Sequence, residues 1–293
     1  MKFLEKHPMY MIATGVVGIS LSAIIVKYSD APSLITAVYR LFFTVAMMTP
    51  VVFLNRSFRM ELSRVSLRTV VLCAVSGIFL ALHFVSWFES LAYTSVASST
   101  VIVCTESIWV ALGFCFLLRG RLKKKAVLSI AVTFAGSSLI AMSDYGSGSS
   151  LLKGDLLALF AAVMVAAYTL LGRIVRADTS TTVYTYIVYF LCGLSLFAAA
   201  LITRTPLTGY GSSSMICGLL LAICSTLLGH SVFSWCLKYL SPAFVSSSKL
   251  CEPPVASLFA MILCGEIPSL LQISGGIIIL AGVIYYSRLE TAA

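Results

Sequence analysis

Leu91-Ala92-Tyr93-Thr94-Ser95-Val96-Ala97 returns 146 residues later as Leu237-Lys238-Tyr239-Leu240-Ser241-Pro242-Ala243, with Leu, Tyr, Ser and Ala in the same places. The same ungapped offset lays Glu106 on Glu252, Leu112 on Leu258, Gly136 on Gly282 and Lys27 on Arg173. Apolar chains align easily by chance, so any one match carries little. A shared Leu-Tyr-Ser-Ala register together with two glutamates inside apolar runs carries more. The spacing predicts two related halves, 1–146 and 147–293, joined by the polar, flexible stretch Asp144-Tyr145-Gly146-Ser147-Gly148-Ser149-Ser150.

Outward from this register the chain is a series of apolar runs. A bilayer core about 30 Å thick needs about 20 apolar residues per helix. Runs of that kind cover 8–26, 33–54, 69–90, 95–118, 126–143, 152–172, 182–203, 214–236, 242–264 and 268–287. The connections are short and leave no room for a soluble domain. Five spans per half is an odd number, so the second half enters the membrane from the opposite side. The expected fold is an all-α integral membrane protein of ten transmembrane helices arranged as two inverted five-helix repeats, an architecture common among secondary transporters. Lys2 and Lys6 precede the first run as they would in a signal peptide, but that run has a counterpart in the second half and is expected to stay.

Composition agrees. Charged residues make up 11% of the chain, hydrophobic ones 59%, and the mean hydropathy is +1.01. A soluble domain carries about 25% charged residues. The net charge of +9 would suggest nucleic acid in a soluble protein, but here the basic residues fill gaps between apolar runs and no nucleic-acid motif is present. With the N-terminus inside, fifteen of the 20 Lys and Arg residues fall in inside segments and three outside, while Arg40 and Lys249 lie within spans. That bias predicts a multi-pass protein of the cytoplasmic membrane of a bacterium with both termini cytoplasmic. The loop charges, including the Arg119–Lys125 cluster, are expected to set topology and touch lipid headgroups. All nine cysteines lie in apolar runs without a Cys-x-x-Cys pair, and read as small buried side chains.

Ionisable residues inside a membrane cost about 2.5–3.5 kcal/mol each on insertion scales, so each asks for a reason. Glu106, mid-span with Trp109 one turn on, is either a proton- or cation-binding group on a translocation path or a carboxyl bonded between helices. Glu252, its repeat partner, stands three residues after Lys249, close enough on one helix face for a local ion pair, and that pairing is the favoured expectation. Pro253 and Pro254 follow and remove helix donors. Arg40 could bind a substrate carboxylate, snorkel to the interface, or pair with Glu106 or Glu252; a structural or gating pair is favoured. His83 and His230, 147 apart and followed by Trp87 and Trp235, suit a proton relay, against the commoner role of a buried histidine bonded to a backbone carbonyl. Tyr39, Tyr168, Ser98 and Ser246 could offer hydrogen bonds to a polar solute. Gly18 with Ser22, Ala131 with Ala135, and Gly275 with Gly282 read as helix-packing positions.

The segment Glu252-Pro253-Pro254-Val255-Ala256-Ser257-Leu258-Phe259-Ala260, then Gly265-Glu266, Gln272-Ile273-Ser274-Gly275-Gly276 and Leu280-Ala281-Gly282-Val283 resembles the end of the EamA-type repeat of the drug/metabolite transporter superfamily. Arg40 after Tyr39 resembles an arginine of that family in the second helix. The first half departs from the pattern: Glu106 is followed by Ser107 instead of proline, and Arg119-Gly120-Arg121 stands where Gly-Glu is usual. The resemblance covers the whole chain. It implies two EamA-like five-helix repeats and export, less often import, of small metabolites, amino acids or drugs.

The function expected is therefore secondary transport, with export of a small solute such as an amino acid or amine by alternating access coupled to protons. No Gly-x-x-x-x-Gly-Lys-Ser/Thr loop is present to use ATP directly. An intramembrane lipid-processing enzyme would need a nucleophile elbow, a His-Glu-x-x-His or an acid cluster, and the sequence has none; a lipid flippase is the other alternative. Nothing calls for a cofactor or metal, and the partners expected are a small-molecule solute and the bilayer.

Overall fold

A computed structural model describes residues 7–94, 96–143, 152–264 and 267–291, all helices and their connections. Ser95 of the repeated motif, the 144–150 connection, Gly265, Glu266, Lys2 and Lys6 lie outside the described residues, as does the side chain of Ser98.

The main helices are α1 (Met9–Lys27), α2 (Ser33–Leu54), α3 (Leu67–Ser90), α4 (Val96–Cys104 and Glu106–Phe116), α5 (Lys124–Ser143), α6 (Leu152–Val175), α7 (Thr181–Ile202), α8 (Gly211–Cys236), α9 (Pro242–Ser248 and Glu252–Cys264) and α10 (Leu270–Thr291). Among the described residues, eight are long and apolar enough to cross a membrane; α9 is interrupted around Lys249. An unexpected short helix, Arg56–Ser63, follows α2 and is capped by the Asn55 side chain.

Serine caps fix where several helices begin. Ser66 Oγ accepts from the Thr69 amide at 3.2 Å, Ser180 Oγ from Val183 at 3.3 Å and Ser241 Oγ from Phe244 at 3.2 Å, each satisfying an amide that the first helical turn leaves free.

The packing repeats itself. α3 packs on α6 and α7, as α8 packs on α1 and α2; α4 packs on α6, as α9 packs on α1; α2 with α7, α4 with α9, and α5 with α10 make the remaining pairs. Two copies of one five-helix unit related by a twofold produce this exchange of partners. Glycines allow the closest approaches. A Cβ at Gly18 of α1 would stand 2.6 Å from the Cys224 carbonyl of α8, and one at Gly136 of α5 2.8 Å from the Gly275 carbonyl of α10. One apolar core lies among α2, α3, α6 and α7, and a second among α1, α8, α9 and α10. Outward faces stay apolar as well, with Phe42, Leu54, Phe116, Leu194 and Ile277 exposed; such a surface suits lipid, not water.

Candidate functional site

The centre of the molecule is built on two interrupted helices. α4 stops at Cys104 and resumes at Glu106; α9 stops at Ser248, makes one 3₁₀ turn over Lys249–Cys251, and resumes at Glu252. Each glutamate is the first residue of its second half-helix, where the exposed amides and helix dipole favour negative charge. The causes differ. In α9, Pro253 and Pro254 have no N–H to give the carbonyls of Lys249 and Leu250, so the α-helical pattern cannot run through. In α4, hydroxyls compete for the carbonyls instead: Thr105 Oγ1 donates to Ile102 O at 2.7 Å and Ser107 Oγ to Cys104 O at 3.1 Å.

Lys249 Nζ lies 2.7 Å from Glu106 Oε1, and the two residues are only 7% and 3% exposed. The local Lys249–Glu252 pair expected from their spacing is not made. Glu106 is the deeper carboxylate, and an unpaired charge there would cost more than one at Glu252, which is half-buried. Lysine therefore reaches across to the other repeat. The Glu252 carboxylate has no hydrogen-bond or ion-pair partner among the described residues, although the charges of Lys249, Glu106 and Arg40 all act on it.

Arg40 does not snorkel and does not pair with a glutamate. It is fully buried, with Nε donating to Thr226 Oγ1 at 2.7 Å, Nη2 donating to Ser225 Oγ at 3.1 Å, and its guanidinium 4.0 Å above the Phe84 ring. Ser225 also bonds Ser22 of α1. These hydroxyls project from a π-helical stretch, Leu221–His230, within α8. Thr226 Oγ1 donates to Leu221 O at 3.3 Å and Ser231 Oγ to Thr226 O at 3.1 Å, each across five residues. Widened stretches of this kind are frequent at functional sites.

His83 and His230 meet, with ring centroids 6.2 Å apart. His83 Nδ1 is 3.0 Å from the Ala161 carbonyl, and its ring stacks on Trp87 at 6.1 Å. His230 has an edge-to-face contact with Phe84 at 5.3 Å and lies 6.2 Å from the Tyr168 ring, whose hydroxyl bonds Ser234 Oγ at 2.8 Å. One centre thus gathers Arg40, His83, Trp87, Tyr168 and His230, with the Lys249–Glu106 pair close enough for its lysine charge to act on both histidines.

Trp109 is not part of it. Trp109 is 39% exposed beside Ile108 at 38%, so this turn of α4 faces outward. Trp235 packs on Tyr239 at 4.6 Å and against the second core. Tyr39 donates to Leu207 O at 2.7 Å in the α7–α8 connection, and Ser246 bonds within its own helix at 3.1 Å. Ser225, Thr226 and Phe84, which hold Arg40, were not expected from the sequence, where mid-span Ser225-Thr226 was the available signal; Ser22, expected as a packing position, bonds Ser225.

The pattern that describes the EamA-like transporter family matches residues 8–142 and again residues 152–288. The chain belongs to the EamA-like transporter family. An uncharacterised transporter of Clostridium kluyveri is 23% identical over 241 residues, covering 80% of this chain and 76% of that protein. The uncharacterised transporter YxxF of Bacillus subtilis is 27% identical over 226 residues, covering 74% and 70%. A solved crystal structure superposes with a TM-score of 0.80 over 98% of both chains at 17% identity, a likeness of fold. The two EamA matches fall on either side of the 144–150 connection, so each contributes one interrupted helix and one glutamate to the centre. The chain is a multi-pass membrane transporter of this family.

At the end of the EamA fold that carries the α6–α7 and α8–α9 connections, charged side chains bond to backbone groups of neighbouring elements. Arg176, 2% exposed, donates from Nε to Ser234 O at 3.1 Å and from Nη1 to Thr179 O. Arg173 donates to Leu237 O. Glu61 Oε1 of the short helix accepts from the Ser180 amide at 2.6 Å. Residues read from sequence as topology charges thus also join α6, α8 and the start of α7.

Proposed function

We propose that this protein is a secondary transporter, an exporter of a small metabolite such as an amino acid or amine, working by alternating access with proton coupling and without enzymatic chemistry. It sits in a bacterial cytoplasmic membrane as ten spans, with both termini cytoplasmic and the halves 1–146 and 147–293 inverted. One observation carries the reading: an ion pair buried at the centre joins interrupted helices of the two repeats and leaves a second glutamate without a partner among the described residues. Stabilising a buried charge by a partner in the other half ties each half's conformation to the other. Glu252 is the proton carrier, because its carboxylate is free of a fixed partner; Glu106 is the anchor for Lys249. Arg40, His83, His230, Trp87 and Tyr168 line the path. Trp109 is left out of it because its turn faces outward.

A groove of about 300 Å³ between α2 and α7, lined by Val38, Phe42, Val45, Phe190, Gly193 and Phe197 among others, favours a lipid flippase as the second reading. Its lining is apolar and offers a headgroup no hydrogen bond, which is why the solute reading is preferred. Flux of an amino-acid and amine panel by purified protein in liposomes, with and without a pH gradient, tests the choice. Saturable flux driven by the gradient supports solute export. Scrambling of labelled lipid with no solute flux would replace it by the flippase reading.

A further inference from the structure

The segment between α2 and α3 carries Arg56, Arg59, Arg64 and Arg68 against a single acid, Glu61. Its short helix, Arg56–Ser63, sorts its residues by face. Phe58, Glu61, Leu62 and Val65 recur at helical spacing in and just after the helix and are half-buried, and the three apolar ones pack on the core among α2, α3, α6 and α7. Glu61 is spent on the Ser180 amide at 2.6 Å. The opposite face is exposed and carries Arg56, Arg59, Met60 and Ser63, with Arg64 ending it. The inward face thus anchors the helix and turns its cations outward. Among the described residues, Arg59 donates from Nη1 to Phe53 O at 3.2 Å, the other three arginines make no hydrogen bond, and none of the four pairs with a carboxylate.

We infer that this face is a binding surface for the headgroups of anionic phospholipids, with Arg56, Arg64 and Arg68 as its free cations. It concerns the membrane around the protein and not the transported solute. Two features separate these arginines from charges that only set topology. Arg56 and Arg68 stand in the first turns of the short helix and of α3, neither of which holds an acid there, and the helix dipole disfavours a cation at that end. An external anion offsets this. The flanking residues also face lipid: Leu54, at the end of α2, is 84% exposed, and Leu67, at the start of α3, 79%. Apolar side chains exposed to that degree belong among acyl chains, which puts the arginines between them at headgroup level and favours a lipid over a soluble anion. Basic clusters of this size beside a membrane helix are suited to anionic lipid. Arg173 and Arg176, by contrast, are engaged by backbone carbonyls.

Native mass spectrometry of the purified full chain in detergent, titrated with phosphatidylglycerol or phosphatidylcholine, tests the surface. Each basic residue near anionic headgroups is worth about fivefold, so phosphatidylglycerol is expected to bind at least about tenfold tighter than phosphatidylcholine. Replacing Arg56, Arg64 and Arg68 together by glutamine should remove most of that preference. Replacing Arg121, Lys123 and Lys124 by glutamine takes the same charge from the α4–α5 connection and should change the preference by less than about threefold. Lysine at 56, 64 and 68 keeps the charge, and that protein should bind within about threefold of the wild type. Equal binding of the two lipids, a preference that survives the three glutamines at 56, 64 and 68, an equal loss in the α4–α5 variant, or a loss as large with lysine as with glutamine would overturn the surface. Displacement of phosphatidylglycerol by glycerol phosphate at millimolar concentration would overturn it too, because the ligand would then be a soluble anion.

Discussion

Replacing Lys249 by methionine removes the cation from Glu106 while keeping most of the side-chain volume. The carboxylate, 3% exposed, would then be buried without a partner, and breaking such a pair costs about 3–5 kcal/mol. Protonation sets a ceiling. Neutralising a carboxyl of ordinary acidity (about 4.3) at pH 7 costs about 3.7 kcal/mol, at about 1.36 kcal/mol per pH unit. The expected loss for Lys249→Met is therefore about 3–4 kcal/mol at pH 7. Because the neutral carboxyl becomes cheaper as pH falls, the loss should shrink to about 1 kcal/mol at pH 5. Adding Glu106→Gln removes the charge that needed neutralising, and the double variant should recover most of the loss. Equilibrium unfolding in mixed micelles at both pH values, as a double-mutant cycle, measures this directly. A Lys249→Met protein as stable as the double variant, or a loss that does not change with pH, would refute the argument that a buried cross-repeat pair holds the centre.

Other outcomes follow from the packing. Gly18→Ala should cost about 1–3 kcal/mol in the same unfolding assay, since the added carbon meets the Cys224 backbone at 2.6 Å. Thr226→Val takes the acceptor from Arg40 Nε and should cost about 1–3 kcal/mol; Thr226→Ser, which keeps the hydroxyl, should cost less. Replacing both Pro253 and Pro254 by alanine returns donors to the Lys249 and Leu250 carbonyls, so unfolding should become harder while flux in liposomes falls.

The helices were largely legible because their signals are local. The expected 33–54 is the observed Ser33–Leu54, and 182–203 is Thr181–Ile202; apolar length suffices for that. The repeat was legible in the register of Leu91 and Leu237. The break in α9 announced itself through Pro253 and Pro254, whereas the break in α4 depends on hydroxyl bonds of Thr105 and Ser107 that no breaker residue marks. The π stretch in α8 was equally silent, because Leu221–His230 reads as any apolar helix. Pairings were the least legible part. Lys249 and Glu252 looked made for each other at a spacing of three, but relative burial decides the pairing, and burial comes from helices brought together over 143 residues. Arg40 pointed to a carboxylate by charge alone and found two hydroxyls. Trp109 lay near Glu106 in sequence and faces outward, since the face that α4 buries was not marked by periodicity.

The coupling role proposed for Glu252 admits the most direct test of the account. Glu252→Gln protein in liposomes is compared with wild type in two modes, solute exchange without a pH gradient and net solute flux driven by one. The account predicts that exchange persists, because the Lys249–Glu106 centre and its alternation are intact, while gradient-driven net flux is lost. Net flux that still follows the pH gradient in Glu252→Gln would contradict it.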